Sequence, residues 1–145
     1  MLRQIVFGGA VSLCNITVHA FAMILLLRIR SIVHAKVPSL PSLRLAGTMI
    51  AATSILMAAH LSEVAIWSTS YALIGATAQG TDYLYFAFVN YTTLGYGDII
   101  PVPRWRLLGP MTAMNGVLLF GWSAAVIFHI LHTTISRDDF REARD

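Results

Sequence analysis

Asn90 to Pro101, read as NYTTLGYGDIIP, is the stretch whose residue types and spacing could do chemistry. That chemistry is coordination of a bare cation by backbone oxygen. Within it, Thr92-Thr93-Leu94-Gly95-Tyr96-Gly97-Asp98 alternates two glycines with larger residues. Glycine takes left-handed backbone angles that other residues resist. Such angles at Gly95 and Gly97 would let successive carbonyls point one way. A row of inward-facing carbonyls, with the Thr93 hydroxyl below them, replaces the hydration shell of a monovalent ion.

A loop of this kind has to be held at fixed depth by its surroundings, and composition identifies those surroundings. Hydrophobic residues make up 57 % of the 145 residues and charged ones 12 %, against roughly 45–50 % and about 25 % in soluble domains. The chain reads as one compact membrane domain. Its formal charge of +3 is small, and no basic, aromatic-interleaved patch suits nucleic acid. A single cysteine, Cys14, excludes an intrachain disulfide; within its apolar run it reads as a small buried hydrophobe.

Ile5 to Leu27 carries no formal charge and exceeds the about 20 residues a span requires. It reads as the first transmembrane helix. Ala20-Phe21-Ala22 resembles a signal-peptidase motif, but the apolar run continues past it and the heavier basic flank follows the run instead of preceding it. Arg28, Arg30, Lys36 and Arg44 then fall in a connector without acidic residues, where Pro38 and Pro41 interrupt any helix. Short basic loops stay in the cytoplasm, so the N-terminus faces outward. Residues 1–44 form the first unit, 45–135 the second and 136–145 a short tail.

Leu45 to about Ser70 is the second span. Ala51, Ala52, Ala58 and Ala59 let neighbouring helices approach, and Trp67 and Tyr71 fall where an outer aromatic belt would lie. After the turn region Gly75 to Gly80, Thr81 or Asp82 can cap a short helix reaching Asn90 or Tyr91. That helix is too short to span and must be re-entrant, which membranes tolerate when the following backbone lines a water-filled path. Its C-terminal dipole would face a cation. Pro101, Pro103 and Trp105 fix an extended turn at the outer surface, and Leu107 to Leu131 is the third span. Ser136 to Asp145, with Arg137, Arg141 and Arg144 among acids, reads as a solvated helix end.

Residues 93–98, Thr-Leu-Gly-Tyr-Gly-Asp, differ by one apolar residue from the potassium-channel signature Thr-Val-Gly-Tyr-Gly-Asp, and Asp82 to about Leu131 resembles a potassium-channel pore domain. The resemblance implies an all-α membrane protein with three transmembrane helices, a re-entrant pore helix and a selectivity-filter loop, assembled as a homotetramer. It implies passive potassium conduction, no enzymatic activity and no cofactor beyond the permeant ion. Potassium would be held by the carbonyls of Thr93, Leu94, Gly95 and Tyr96, with Gly97 ending the filter and the Thr93 side chain completing the lowest site.

Thr92, Asp98, Tyr85 and Phe86 would support the filter. Tyr85 and Phe86 stand where many members carry a tryptophan pair, the Tyr85 hydroxyl is expected to reach Asp98, and Tyr96 is expected to pack on pore-helix aromatics. Val89 replaces a buried carboxylate found behind the filter in some members, which removes that network. Gly116 resembles the inner-helix bending point, with close helix packing as the alternative use, and Gly121 follows five residues later. Val117, Phe120, Ala124 and Phe128 would line the pore, and Phe120 and Phe128 could gate it by dewetting. The extra N-terminal span departs from the minimal two-span layout. Neither early span repeats arginine every third residue, so no intrinsic voltage sensor is expected.

Ionisable residues within spans are functional candidates. His60, Glu63 and Trp67 share one helix face, and Ser12, Asn15 and His19 form a similar stripe. Antiparallel packing with Leu27 and Leu45 at one depth would set His60 opposite Ser12, with Asn115 near that level. The group reads as a hydrogen-bonded cluster joining helices, as a proton sensor at His60 and Glu63, or as a metal site drawing further ligands from His129 or His132. His132 lies near the expected inner gate.

The alternatives to a potassium-selective channel are a less selective cation channel, through Leu94, and a non-conducting membrane subunit of another channel. An enzyme would need an activated nucleophile or a complete ligand set, neither of which is visible. Membrane lipids and further copies of the chain are the expected partners. A bacterial-type cytoplasmic membrane suits the compact layout, with the C-terminus inside.

Overall fold

The computed structural model describes residues 1–36 and 41–142, with side chains placed for 1–29, 32 and 42–134. Its regular structure is entirely helical: α1 (Leu2–Lys36), α2 (Pro41–Ile74), α3 (Tyr83–Tyr91), a 3-10 turn (Pro103–Trp105) and α4 (Leu108–Glu142). Among the described residues three stretches are long and apolar enough to cross a membrane: Leu2–Ile29, Ser42–Ile74 and Pro103–Thr134. The chain is an all-α integral membrane protein with three spans and one short helix, the class its sequence implies.

The helices overrun their expected ends. The connector expected from Arg28 to Arg44 is mostly helix: α1 continues to Lys36, and α2 starts at Pro41. Proline is tolerated in a first helical turn, where its missing N–H would have no partner, so Pro41 opens a helix instead of breaking one. Pro38 lies outside the described residues. Arg44, expected in solvent, is 2 % exposed in the first turns of α2. At the other end α4 carries the expected tail on to Glu142; the last three residues lie outside the described ones.

α3 keeps its predicted limits because its start is capped. Asp82 accepts from the backbone N–H of Leu84 and Tyr85, each at 3.0 Å, which satisfies two of the donors that a helix start leaves unpaired. Nine residues rise roughly 14 Å at 1.5 Å each, well short of an about 30 Å hydrocarbon core. The return strand is fastened where Val102 N–H donates to Ala76 O at 2.8 Å. The expected extended turn around Trp105 closes as 3-10 helix.

The interior is layered. One apolar cluster gathers Val11, Val64, Trp67, Tyr71, Phe86, Tyr91, Trp105 and Leu108, and a second gathers Met23, Leu26, Ala52, Leu56 and Ile130. Between them in sequence on α1 and α2 lie the buried polar residues Asn15, His19 and Glu63. Trp67 and Tyr71 therefore do not form an interfacial belt: both are fully buried, because α1, α3 and α4 close over that face of α2. Cys14 is exposed instead of buried. In a span the apolar solvent is lipid, so an apolar neighbourhood in sequence does not distinguish core from perimeter.

Candidate functional site

α3 delivers the chain directly into the loop 92–98. Thr93, Gly95 and Gly97 have φ of 61, 59 and 76°, with no positive φ at Leu94 or Tyr96. Alternating handedness turns successive N–H groups to one side, and here that side faces α3. Thr93 N–H donates to Asn90 O at 3.0 Å and Gly95 N–H to Val89 O at 3.2 Å. In these two planar trans peptides the carbonyls of Thr92 and Leu94 are therefore left on the opposite side. Among the described residues no hydrogen bond ends on the carbonyls of Thr93, Leu94, Gly95 or Tyr96. Gly95 and Gly97 adopt the expected angles; the third left-handed residue, Thr93, had no glycine to announce it.

The side chains around this row divide cleanly. Thr92 Oγ1 donates to Phe88 O at 2.7 Å and is thereby spent on α3. The Thr93 hydroxyl has no protein partner among the described residues. Tyr85 Oη donates to Asp98 Oδ2 at 2.7 Å, the bond anticipated from the resemblance. Phe86 turns the other way, 2 % exposed, its ring 4.9 Å from that of Tyr71. Tyr96 makes no ring contact with α3 of its own chain among the described residues and is 67 % exposed. The expected packing of Tyr96 on α3 is thus not made within one chain, whose own α3 aromatics face α2 and Asp98.

α4 approaches the same region through Gly116. A Cβ at that position would collide with the Tyr91 backbone carbonyl, so Gly116 serves close packing of α4 on the end of α3. Gly121 meets nothing within 4 Å. Val117, Gly121, Ala124 and Phe128 all lie exposed on α4 at spacings of four, three and four, which is one helix face. Phe120 sits at the edge of that face. Its ring packs 4.6 Å from His60 and 5.3 Å from Tyr91.

The intramembrane polar residues converge behind α3. Glu63, with no exposed surface, accepts from His19 Nδ1 at 2.8 Å on Oε1, from His60 Nδ1 at 3.0 Å on Oε2, and from the Tyr91 hydroxyl on Oε2. Ser123 Oγ reaches His60 Nε2 at 3.0 Å and His19 Nε2 at 3.3 Å. Beside them Asn115 Oδ1 accepts from Asn15 Nδ2 and Trp67 Nε1, both at 3.0 Å. The expected depth match of His60 with Ser12 is displaced towards His19, because α1 and α2 meet near residues 36 and 41 and not near 27 and 45.

Three ligand-type atoms, one each from His19, His60 and Glu63, lie within 4.8 Å of one another. The third residue is His19, not His129 or His132. Tetrahedral zinc with bonds of about 2.0–2.1 Å separates its ligands by roughly 3.3 Å, whereas the histidine nitrogens stand 2.8 and 3.0 Å from the carboxylate. Those are hydrogen-bond distances, and the cluster is closed by its own bonds. Tyr91 and Ser123 escaped sequence reasoning, since a helix-end tyrosine and a small hydroxyl on a span carry no local mark of their partners.

The ion channel family matches residues 59–133, a stretch holding α3, the loop, most of α4 and the C-terminal half of α2. No curated protein and no solved structure matches the chain. The match covers more than half of the chain, which belongs to this family of ion channels.

Proposed function

We propose that the protein is a potassium-selective channel in which four copies surround one conduction axis, each contributing residues 93–97 as a quarter of the filter. The observation that carries this reading is the alternation of handedness at Thr93, Gly95 and Gly97, with N–H groups bonded back to α3 and the carbonyls without protein partners. A bare backbone carbonyl at membrane depth is costly unless it meets water or an ion. One chain covers one side of an ion. Four carbonyl rows facing each other would give eightfold oxygen cages, with Thr93 Oγ1 completing the innermost.

The fourfold arrangement is supported by what a single chain leaves uncovered. Residues 92–98 are exposed throughout, and the exposed face of α4 bearing Val117, Gly121, Ala124 and Phe128 provides an apolar wall. Leu94 and Tyr96, 54 and 67 % exposed, would be covered by neighbouring copies. The C-terminal end of α3 points its dipole towards the cation. With the basic residues at the α1–α2 turn on the cytoplasmic side, the filter opens outward and both the N-terminus and the loop face the exterior.

Liposomes loaded with potassium and containing the purified protein test the reading. Expected are potassium flux at least tenfold above sodium flux, block by barium, and loss of flux in Gly95→Ala with assembly intact. Equal sodium and potassium flux would replace this reading with a general cation channel; a tetramer silent at all voltages would replace it with a subunit of another channel.

A further inference from the structure

The network behind α3 is a closed ring: Glu63 Oε1, His19, Ser123, His60 and back to Glu63 Oε2. Each imidazole sets Nδ1 against the carboxylate and Nε2 against the serine; His60 Nδ1 also stands 2.9 Å from the oxygen of the Tyr91 hydroxyl, whose own hydrogen goes to Glu63 Oε2. Its hydrogens can be counted. An ionised carboxylate only accepts, so both Nδ1 atoms must carry hydrogen. With both rings neutral, both Nε2 atoms are then acceptors, and Ser123 has one hydrogen for two of them. One nitrogen goes unserved, and the fully buried Glu63 keeps an uncompensated charge.

A single added proton repairs both faults. The ring that holds it donates from Nε2 to Ser123 Oγ, and the Ser123 hydroxyl donates onward to the other ring. Reversing the serine hydroxyl exchanges the two rings. When His19 is the ring that holds the proton, shifting its Nδ1 hydrogen to Glu63 Oε1 also leaves every partner satisfied and the net charge zero. A second proton would give Ser123 two N–H donors and strand its own hydrogen. Buried polar groups carry large penalties when unpaired, so the ring favours one occupancy.

We propose that His19, His60 and Glu63 form a binding site for a single proton, shared through the Ser123 hydroxyl and coupled to Tyr91, the residue that leads into the loop 92–98. The titratable and polar groups facing it are known from every packed element. α1 supplies His19 and the neutral Asn15, α2 supplies His60 and Glu63, α3 supplies Tyr91, and α4 supplies Ser123 together with the rings of Phe120 and Trp122, the latter 5.2 Å from His19. Among the described residues the two histidines are the only ion-pair partners of Glu63. Tyr91 hydrogen-bonds to the same Oε2 as His60, and its backbone carbonyl abuts Gly116. Proton loss would therefore rearrange bonds at the junction of α3 and α4.

Solid-state NMR of the full chain in lipid bilayers, with 15N-histidine and 13C-tyrosine labels, tests this without any flux measurement. Across a pH series the ring nitrogens of His19 and His60 and the Tyr91 Cζ should move together in one single-proton step, while the other three of the five histidines move separately. In Ser123→Ala the two rings should titrate apart. In Glu63→Gln, whose amide needs no counter-charge, the shared step should vanish. Independent one-proton transitions of His19 and His60 in the wild-type protein would overturn the proposal, as would a Tyr91 signal that ignores the step. Because the readout is a titration in the intact bundle, its failure is distinguishable from a failure of potassium selectivity.

Discussion

Gly116 of α4 lies against the backbone carbonyl of Tyr91, so closely that no side chain fits between them. The obstruction is backbone, which cannot rotate away. Gly116→Ala should therefore cost about 3 kcal/mol or more, the upper end of what overpacking usually does. Thermal unfolding of the purified protein, monitored by the release of assembled chains, is expected to show a lower midpoint for Gly116→Ala. Gly121→Ala, which meets open space, should stay within about 1 kcal/mol of the parent and on the stabilising side.

The two neighbouring threonines should behave differently. Thr92→Ala removes a hydroxyl already bonded to Phe88 O and is expected to leave barium block unchanged. Thr93→Ala removes the hydroxyl that has no such partner and should weaken barium block several-fold at the innermost site. Dose–response curves for flux in liposomes would separate the two, and equal effects would remove Thr93 from the ion path.

Tyr85→Phe deletes the donor to Asp98 while keeping the ring. Shorter open times or weaker selectivity are expected in single-channel records. The adjacent Asp98 carboxylate raises the Tyr85 phenol above its ordinary value of 10.0. The neutral phenol is thus the favoured form, so its contribution is complete below pH 10 and is lost only as pH climbs through the raised value. The pH at which open times of the parent fall by half should accordingly lie above 10.0; a midpoint at 10.0 would show that the phenol ionises at its ordinary position.

Asn115 gathers two donors on one oxygen. Asn115→Leu leaves Trp67 Nε1 buried without an acceptor, at about 1–3 kcal/mol. Adding Trp67→Phe removes the stranded donor, so the double variant should lose less than the sum of the singles. Unfolding midpoints of the four proteins measure that coupling, and strict additivity would mean that the two side chains do not interact.

What was legible in the sequence was local. The left-handed glycines, the Asp82 cap and the limits of α3 follow from residues a few positions apart; the Tyr85–Asp98 pair, 13 positions apart, was anticipated from the family resemblance. Facing was not legible. In a span the lipid side and the protein side are both apolar, so Trp67 and Tyr71 could be assigned to a belt and Cys14 to a core when the packing is the reverse. The polar cluster was visible as two stripes, but its register depended on where α1 ends, and basic residues beside two prolines gave the wrong end. Thr93 was expected to supply a hydroxyl; that its backbone is also left-handed, at roughly 1–2 kcal/mol for an L-residue, follows from the bonds that α3 makes to its neighbours.

α1 is bound to α4 at three depths. Gln4 Oε1 accepts the Leu107 N–H at 2.8 Å just before α4 starts, Asn15 reaches Asn115, and His19 reaches Ser123. The first and last helices of the chain are consequently laced together like two staves of one panel. A helix that a two-span pore does without is here part of the same laced piece as α4, and any tilt of α4 must either carry α1 through the lipid or undo the lacing from one end.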